Sequence, residues 1–156
     1  WLTQMVAPQM IERKDGAIVI ISSVGGMRGN ALIGAYNVSK AGVKAFTEAL
    51  EYELRNAPNG NISAHLLIPG FVFTGLTANG RTEKPSGAWT PEQTVDFMID
   101  GIGNGDFYIL CPDGEVNRKT DEKRILWAAN DLVQNRPPLS RWHDDYSDDF
   151  KSFLNS

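Results

Sequence analysis

Ser23, Tyr36 and Lys40 are the residues whose types and spacing best suit chemistry. Tyr36 and Lys40 stand four apart in "AYNVSK", so on a helix they share one face. A free tyrosine has a pKa of about 10 and is a weak base at neutral pH. A nearby ammonium favours the phenolate and lowers that value. Tyr36 then serves as a general acid-base, tuned by Lys40. Ser23 ends the apolar stretch "IVIISS" and offers a hydroxyl to a substrate oxygen. The tyrosine-lysine spacing alone also fits an ordinary surface pair on an amphipathic helix. The surroundings decide between the two.

Those surroundings alternate. Residues 1–14, "WLTQMVAPQMIERK", carry apolar residues at near-helical spacing, with Pro8 expected to bend the helix or end its first part. Residues 17–21 form an unbroken apolar run, which reads as a strand buried on both faces, as in parallel sheets. "VGGMRGNALIG" reads as a glycine-rich loop. Residues 35–56 form a long helix, broken by "APNGN". "ISAHLLIPG" is a second strand, ending in Pro69-Gly70. A loop rich in Gly, Thr and Pro follows. Thr90 caps the next helix, with Pro91 at its first position, and that helix reaches about Ile102. "DFYILC" is a third strand, and residues 121–135 are a last helix stopped by Pro137-Pro138. The fold class is α/β, with parallel strands joined by right-handed crossovers. Ligands of open parallel sheets bind beyond the carboxyl ends of the strands. Ser23 and Pro69-Gly70 both lie at such ends.

Composition narrows the function. The 156 residues suit one domain, with 1–135 as core and 136–156 as a C-terminal tail. With 42% hydrophobic and 22% charged residues, the chain is composed like a globular protein. A net charge of −4 supplies no basic footprint for nucleic acid. One cysteine, Cys111, excludes an internal disulfide framework and suits a reducing compartment, so the expected location is cytoplasmic. No apolar run reaches the length of a membrane span. Cys111 reads as a small buried hydrophobe, His65 as a core histidine with its hydrogen bonds satisfied, and Trp127 as core or interface. Ser22 is read as closing its strand with a backbone hydrogen bond. The "DDYSDD" run reads as a solvated terminus.

Taken together, "IVIISSVGG", "YNVSK" and "PGFVFT" make the chain resemble the C-terminal part of a single-domain short-chain dehydrogenase/reductase. Ser23 precedes Tyr36 by thirteen residues, the separation usual in that family. The resemblance covers nearly the whole chain, from Trp1 to about Asn135. It implies a partial Rossmann-like, doubly wound sheet: the last three of seven parallel strands, with flanking helices. The family's glycine-rich dinucleotide fingerprint is absent, since "GGMRGNALIG" lacks G-x-G-x-x-G spacing before a helix. The family's catalytic asparagine would fall just before Trp1. The chain is therefore expected to be one part of a longer enzyme, and by itself to bind NADH or NADPH poorly.

The resemblance further implies an NAD or NADP cofactor and a small-molecule alcohol or carbonyl substrate. Hydride passes between nicotinamide and the carbonyl carbon, Tyr36 handles the oxygen's proton, and Ser23 hydrogen-bonds that oxygen. Lys40 also binds the nicotinamide ribose. Pro69, Gly70, Val72 and Thr74 form the nicotinamide site, with backbone groups at Val72 and the Thr74 hydroxyl on the carboxamide. Residues 75–89 resemble the variable lid, and Phe73, Leu76 and Trp89 are candidates for an apolar substrate pocket. A homodimer or homotetramer is implied, with Phe46, Ala49 and Leu50 supplying the seam. The rival readings are a nucleotide-sugar epimerase or dehydratase, which needs a larger C-terminal domain, and an inactive binding or assembly module.

Overall fold

The computed structural model describes residues 1–58 and 61–156, so the expected break at "APNGN" lies partly outside the described residues. Three parallel strands form one sheet in the order β1 (Gly16–Ile21), β2 (Ile62–Ile68), β3 (Tyr108–Leu110). Gly16 pairs with Ile62 and Ile21 with Leu67, while Leu66 to Ile68 pair with Tyr108 to Leu110. The helices are α1 (Leu2–Arg13), α2 (Val24–Arg28), α3 (Gly34–Arg55), α4 (Pro91–Gly103), α5 (Arg118–Val133) and α6 (Ser147–Asn155). This is the α/β alternation expected from the sequence.

Strand periodicity distributes the core. Ile62 and Ala64 of β2 pack with Ile18 of β1 and with Leu50 and Leu54 of α3. Leu66 and Ile68 pack with Leu110, with Val24 and Met27 of α2 and with Ile125 of α5. Leu67 points the other way, as alternation requires. It joins Ile109, Cys111, Trp89 and, from α4, Phe97, Met98 and Ile102. Each such buried Leu or Ile contributes roughly 1.5–3 kcal/mol. Cys111 is fully buried, which pushes its thiol up to about 12. His65 is buried as well. Its Nδ1 lies 2.7 Å from the Asp106 carbonyl, which only accepts, so Nδ1 carries the proton and Nε2 accepts from Ser63 Oγ.

Several elements differ from expectation. Pro8 lies within a continuous α1; no α1 residue is buried, so the lost hydrogen bond faces water. The apolar β1 buries only Ile18, because the described residues cover one of its faces with α1 and α3 and leave the other largely open. "VGGMR" is a short helix rather than a loop: Ser23 caps it, and Gly29 ends it at φ 65°. The third strand is shorter than "DFYILC". α5 starts earlier than Asp121, because Asn117 accepts from the Thr120 N–H as its cap. α4 begins as expected, with Thr90 and Gln93 capping each other and Pro91 next. Leu50 faces the core and so leaves the proposed seam, while Phe46 and Ala49 remain exposed.

The C-terminal tail folds back onto α5. Trp127 is 5% exposed and meets Phe150 and Phe153 with ring centres at 5.2 and 5.4 Å. Its Nε1 donates to Ser140 Oγ at 2.8 Å, and Ser140 donates on to Asp131 at 2.5 Å. The Arg136 guanidinium stands 4.0 Å from the Trp127 ring centre and pairs with Asp131 at 3.0 Å. Trp127→Ala removes the ring on which this whole cluster packs. It is expected to cost about 3–5 kcal/mol in urea unfolding, at the level of a large buried aromatic. A change under about 1 kcal/mol would show that the tail is held some other way.

Candidate active site

The site is built where β1 stops. The Ser22 N–H continues the ladder by donating to the Leu67 carbonyl at 2.8 Å. Its buried hydroxyl donates to the Lys40 carbonyl at 2.8 Å, the backbone bond expected of it. Lys40 Nζ reaches back and donates to the Ile21 carbonyl at 3.0 Å. The end of the strand, at Ile21 and Ser22, is thus stitched twice to one helix residue, Lys40. Next comes Ser23, extended at φ −170°, whose Oγ accepts from the Gly25 N–H at 3.3 Å. α2 lies against α3 with no side chain between them. A Cβ on Gly26 would stand 2.6 Å from the Lys40 carbonyl carbon.

Tyr36 lies in the first turn of α3 and is 38% exposed. A Cβ on Gly25 would lie 3.3 Å from its ring carbon Cε1, so Ser23 and Tyr36 both border Gly25. Lys40 Nζ stands 5.8 Å from the Tyr36 ring centre. Ser23, Tyr36 and Lys40 therefore occupy one corner, at the carboxyl end of β1. Asn37 completes its edge by donating to the Asn30 carbonyl at 2.7 Å.

The second segment joins this corner through the backbone. The Val24 N–H donates to the Pro69 carbonyl at 3.2 Å, so the start of α2 is tied to the end of β2. Gly70 is pressed against Asp113: a Cβ there would come within 2.8 Å of the Asp113 carboxylate. That carboxylate accepts from the Phe71, Glu115 and Val116 N–H groups. Phe71 O and Phe73 N–H both pair with Trp89 at 2.9 Å. Across a trans peptide, C=O and N–H point opposite ways. The Val72 N–H therefore faces away from Trp89, and it has no protein acceptor among the described residues. Thr77 Oγ1 donates to the Val72 carbonyl at 2.6 Å and lies 3.3 Å from the Thr74 hydroxyl. A free amide N–H beside a threonine hydroxyl fits the carboxamide of a nicotinamide.

Of the pocket candidates, Trp89 is used by the core, edge-on to Phe97 at 5.6 Å, and Leu76 is 85% exposed. A cleft of about 590 Å³ runs between α2, α3 and α5 past Met27, Ile125, Leu132 and Leu139. None of the candidate site residues lines it. Asp113 and Gly26 went unread in the sequence. For Asp113 the available signal was "PDGE", a turn in which an aspartate bonds nearby backbone N–H groups.

A family model for short chain dehydrogenase matches residues 1–85. The chain belongs to the short chain dehydrogenase family. An uncharacterized oxidoreductase of Myxococcus xanthus is 38% identical over 107 residues, 69% of this chain and 41% of that protein. The ketoacyl reductase HetN of Nostoc sp. is 34% identical over 106 residues, 66% of this chain and 36% of that protein. The crystal structure of a short chain dehydrogenase/reductase from Burkholderia phymatum, in complex with NAD, superposes with a TM-score of 0.72 at 25% identity. That match covers 87% of this chain and 55% of the other. The chain thus spans roughly a third to a half of the length of the relatives it matches. That family is one of oxidoreductases. Among the described residues, no helix is long and apolar enough to cross a membrane, and no cluster of His, Cys, Asp or Glu suits a metal ion.

The close approach of α2 to α3 is open to test. Gly26→Ala puts a methyl group into the Lys40 backbone, which cannot yield as a flexible side chain would. A loss of roughly 1–3 kcal/mol is expected in chemical denaturation, as for an overpacked core. An unchanged midpoint would mean that the two helices are not in contact there.

Proposed function

We propose that this chain supplies the catalytic residues of an NAD(P)-dependent oxidoreductase that interconverts an alcohol and a ketone or aldehyde. The observation that carries this reading is the meeting of Ser23, Tyr36 and Lys40 at the carboxyl end of β1, tied through Val24 to the Pro69–Thr74 segment. When bound, the nicotinamide supplies or accepts the hydride. The Val72 N–H and the Thr74 hydroxyl hold its carboxamide, Pro69 and Gly70 let the backbone approach, and Lys40 binds its ribose.

Tyr36 is exposed enough to meet a substrate oxygen and moves the proton at that oxygen through its phenolic hydroxyl. Ser23 donates a hydrogen bond to the same oxygen. Its Oγ accepts from the Gly25 N–H, which leaves its own proton free to point outward. Lys40 Nζ stands 5.8 Å from the Tyr36 ring centre, where an ammonium offsets negative charge on the phenolic oxygen. Its bond to the Ile21 carbonyl fixes the ammonium in place. The apolar seam left on α3, Phe46 and Ala49, is the proposed contact with a second copy in a homodimer or homotetramer.

The test is Tyr36→Phe in the natural full-length protein, assayed with the carbonyl compound on which the wild type is most active. Turnover is expected to fall by about 10²–10⁴-fold, the usual contribution of a positioned acid-base group. NADH or NADPH affinity, read by fluorescence titration, should change little. Normal turnover in this variant would remove Tyr36 from the mechanism.

A further inference from the structure

A second constellation stands apart from this corner and does not rest on the proposed function. Arg28 from α2, Arg124 from α5 and Arg141 from the turn Ser140–Trp142 line a cleft of about 200 Å³ with Trp142 and Phe150. Ser23, Tyr36, Lys40 and the Pro69–Thr74 segment do not line it. Two carboxylates lie near the three cations. Asp121 is buried, with Oδ1 3.8 Å from Arg28 Nε and 3.8 Å from Arg124 Nη1. Those separations are ion pairs but too long for hydrogen bonds. Asp113 is the other carboxylate, and its oxygens already accept three backbone N–H groups.

Positive charge is therefore in excess, and its donors are not used up. Arg28 Nε and Arg141 Nε are buried with no acceptor among the described residues, and Asp121 Oδ1 is buried with no donor. Buried donors in native proteins are rarely left without partners. Arg141 is also pre-positioned. Its Nη2 donates to Asn30 Oδ1 at 2.9 Å, and its guanidinium stacks 3.6 Å from the Trp142 ring centre. Burial, followed by the charges of Arg28 and Arg124, pushes Arg141 down to about 9. Burial lowers Arg28 as well. Both directions express first the burial of the guanidinium groups away from water.

The ligand class follows from size and charge. Guanidinium forks bind planar or tetrahedral oxyanions through paired N–H bonds. The cleft is smaller than the roughly 300–1,000 Å³ typical of drug-sized ligands, so the anion is compact. We propose that Arg28, Arg124 and Arg141 form a binding site for a compact oxyanion of the size of a phosphoryl group.

The test is calorimetric titration of the natural full-length protein at constant ionic strength, with inorganic phosphate in one arm, glycerol 2-phosphate in another and chloride as reference. Saturable binding of either phosphate at millimolar concentration or below is expected, with none for chloride. The tighter arm tells a free ion from an esterified one. Arg124→Gln and Arg141→Gln should each weaken binding at least tenfold. Asp121→Asn removes a competing carboxylate without touching an arginine and should tighten binding severalfold. If Arg141→Gln unfolds, the Arg124→Gln and Asp121→Asn arms decide. Unchanged affinity in the arginine variants, no tightening in Asp121→Asn, or heat only at molar salt (an adventitious ion only) would overturn the proposal.

Discussion

The close approach of α2 to α3 is the constraint on which the candidate site depends. Gly26 lies so near the Lys40 backbone that no side chain fits between them. That approach lets the Ser22 hydroxyl reach the Lys40 carbonyl while the Lys40 ammonium reaches the Ile21 carbonyl. Three separate pieces of chain, the end of β1, the first turn of α2 and the second turn of α3, are thereby fixed as one body. The Val24 N–H then carries the constraint to Pro69 and the end of β2. Each bond is of ordinary strength, about 0.5–1.5 kcal/mol net. Their value to the site lies in position: catalytic groups lose rate when held only about 1 Å out of place.

What was legible in the sequence was local or strongly patterned. Thr90 and Pro91 mark a helix start within four residues, and α4 begins there. Apolar strands and helical periodicity give the alternation, and Ser23, Tyr36 and Lys40 stand out through spacing and neighbours. What was not legible depends on tertiary contact. Each glycine in a helix costs about 1 kcal/mol, so "VGGMR" reads as a loop until α3 is there to pack against it. Leu50 and Phe46 are both apolar and one turn apart, yet one enters the core and the other faces out. Spacing alone cannot choose between them, because both lie within one apolar stripe. Asp113 supports Gly70 and Phe71 from a loop beyond β3, a relation that no local pattern encodes.

β1 shows the same point from the side of burial. Its composition is that of a strand covered on both faces. Among the described residues only Ile18 is fully shielded, while Ile21 is 56% exposed and α1 buries nothing completely. β2, the middle strand, is buried at all but one position. The two strands have similar sequences and different environments, so the difference comes from their place in the sheet. A free edge with apolar side chains is a surface that proteins ordinarily cover. The family fold explains why the apolar run is there at all.

The C-terminal tail packs on α5, and it connects the arginine cleft to the candidate corner. Trp127 anchors Ser140 through its indole N–H, and Ser140 opens the turn that carries Arg141. Arg141 then holds the side chain of Asn30, whose carbonyl accepts from Asn37, the neighbour of Tyr36 on α3. Asn30 Nδ2 and Tyr36 Cε1 both lie within 3.3 Å of the point where a Cβ on Gly25 would stand. An anion on Arg141 would therefore lie three contacts from the phenolic ring, by way of Asn30 and Gly25. Asn30 is held from two sides, its side-chain oxygen by Arg141 and its backbone carbonyl by Asn37. The folded tail thus does more than cover apolar surface, because Arg141 holds Asn30 at the edge of the candidate corner.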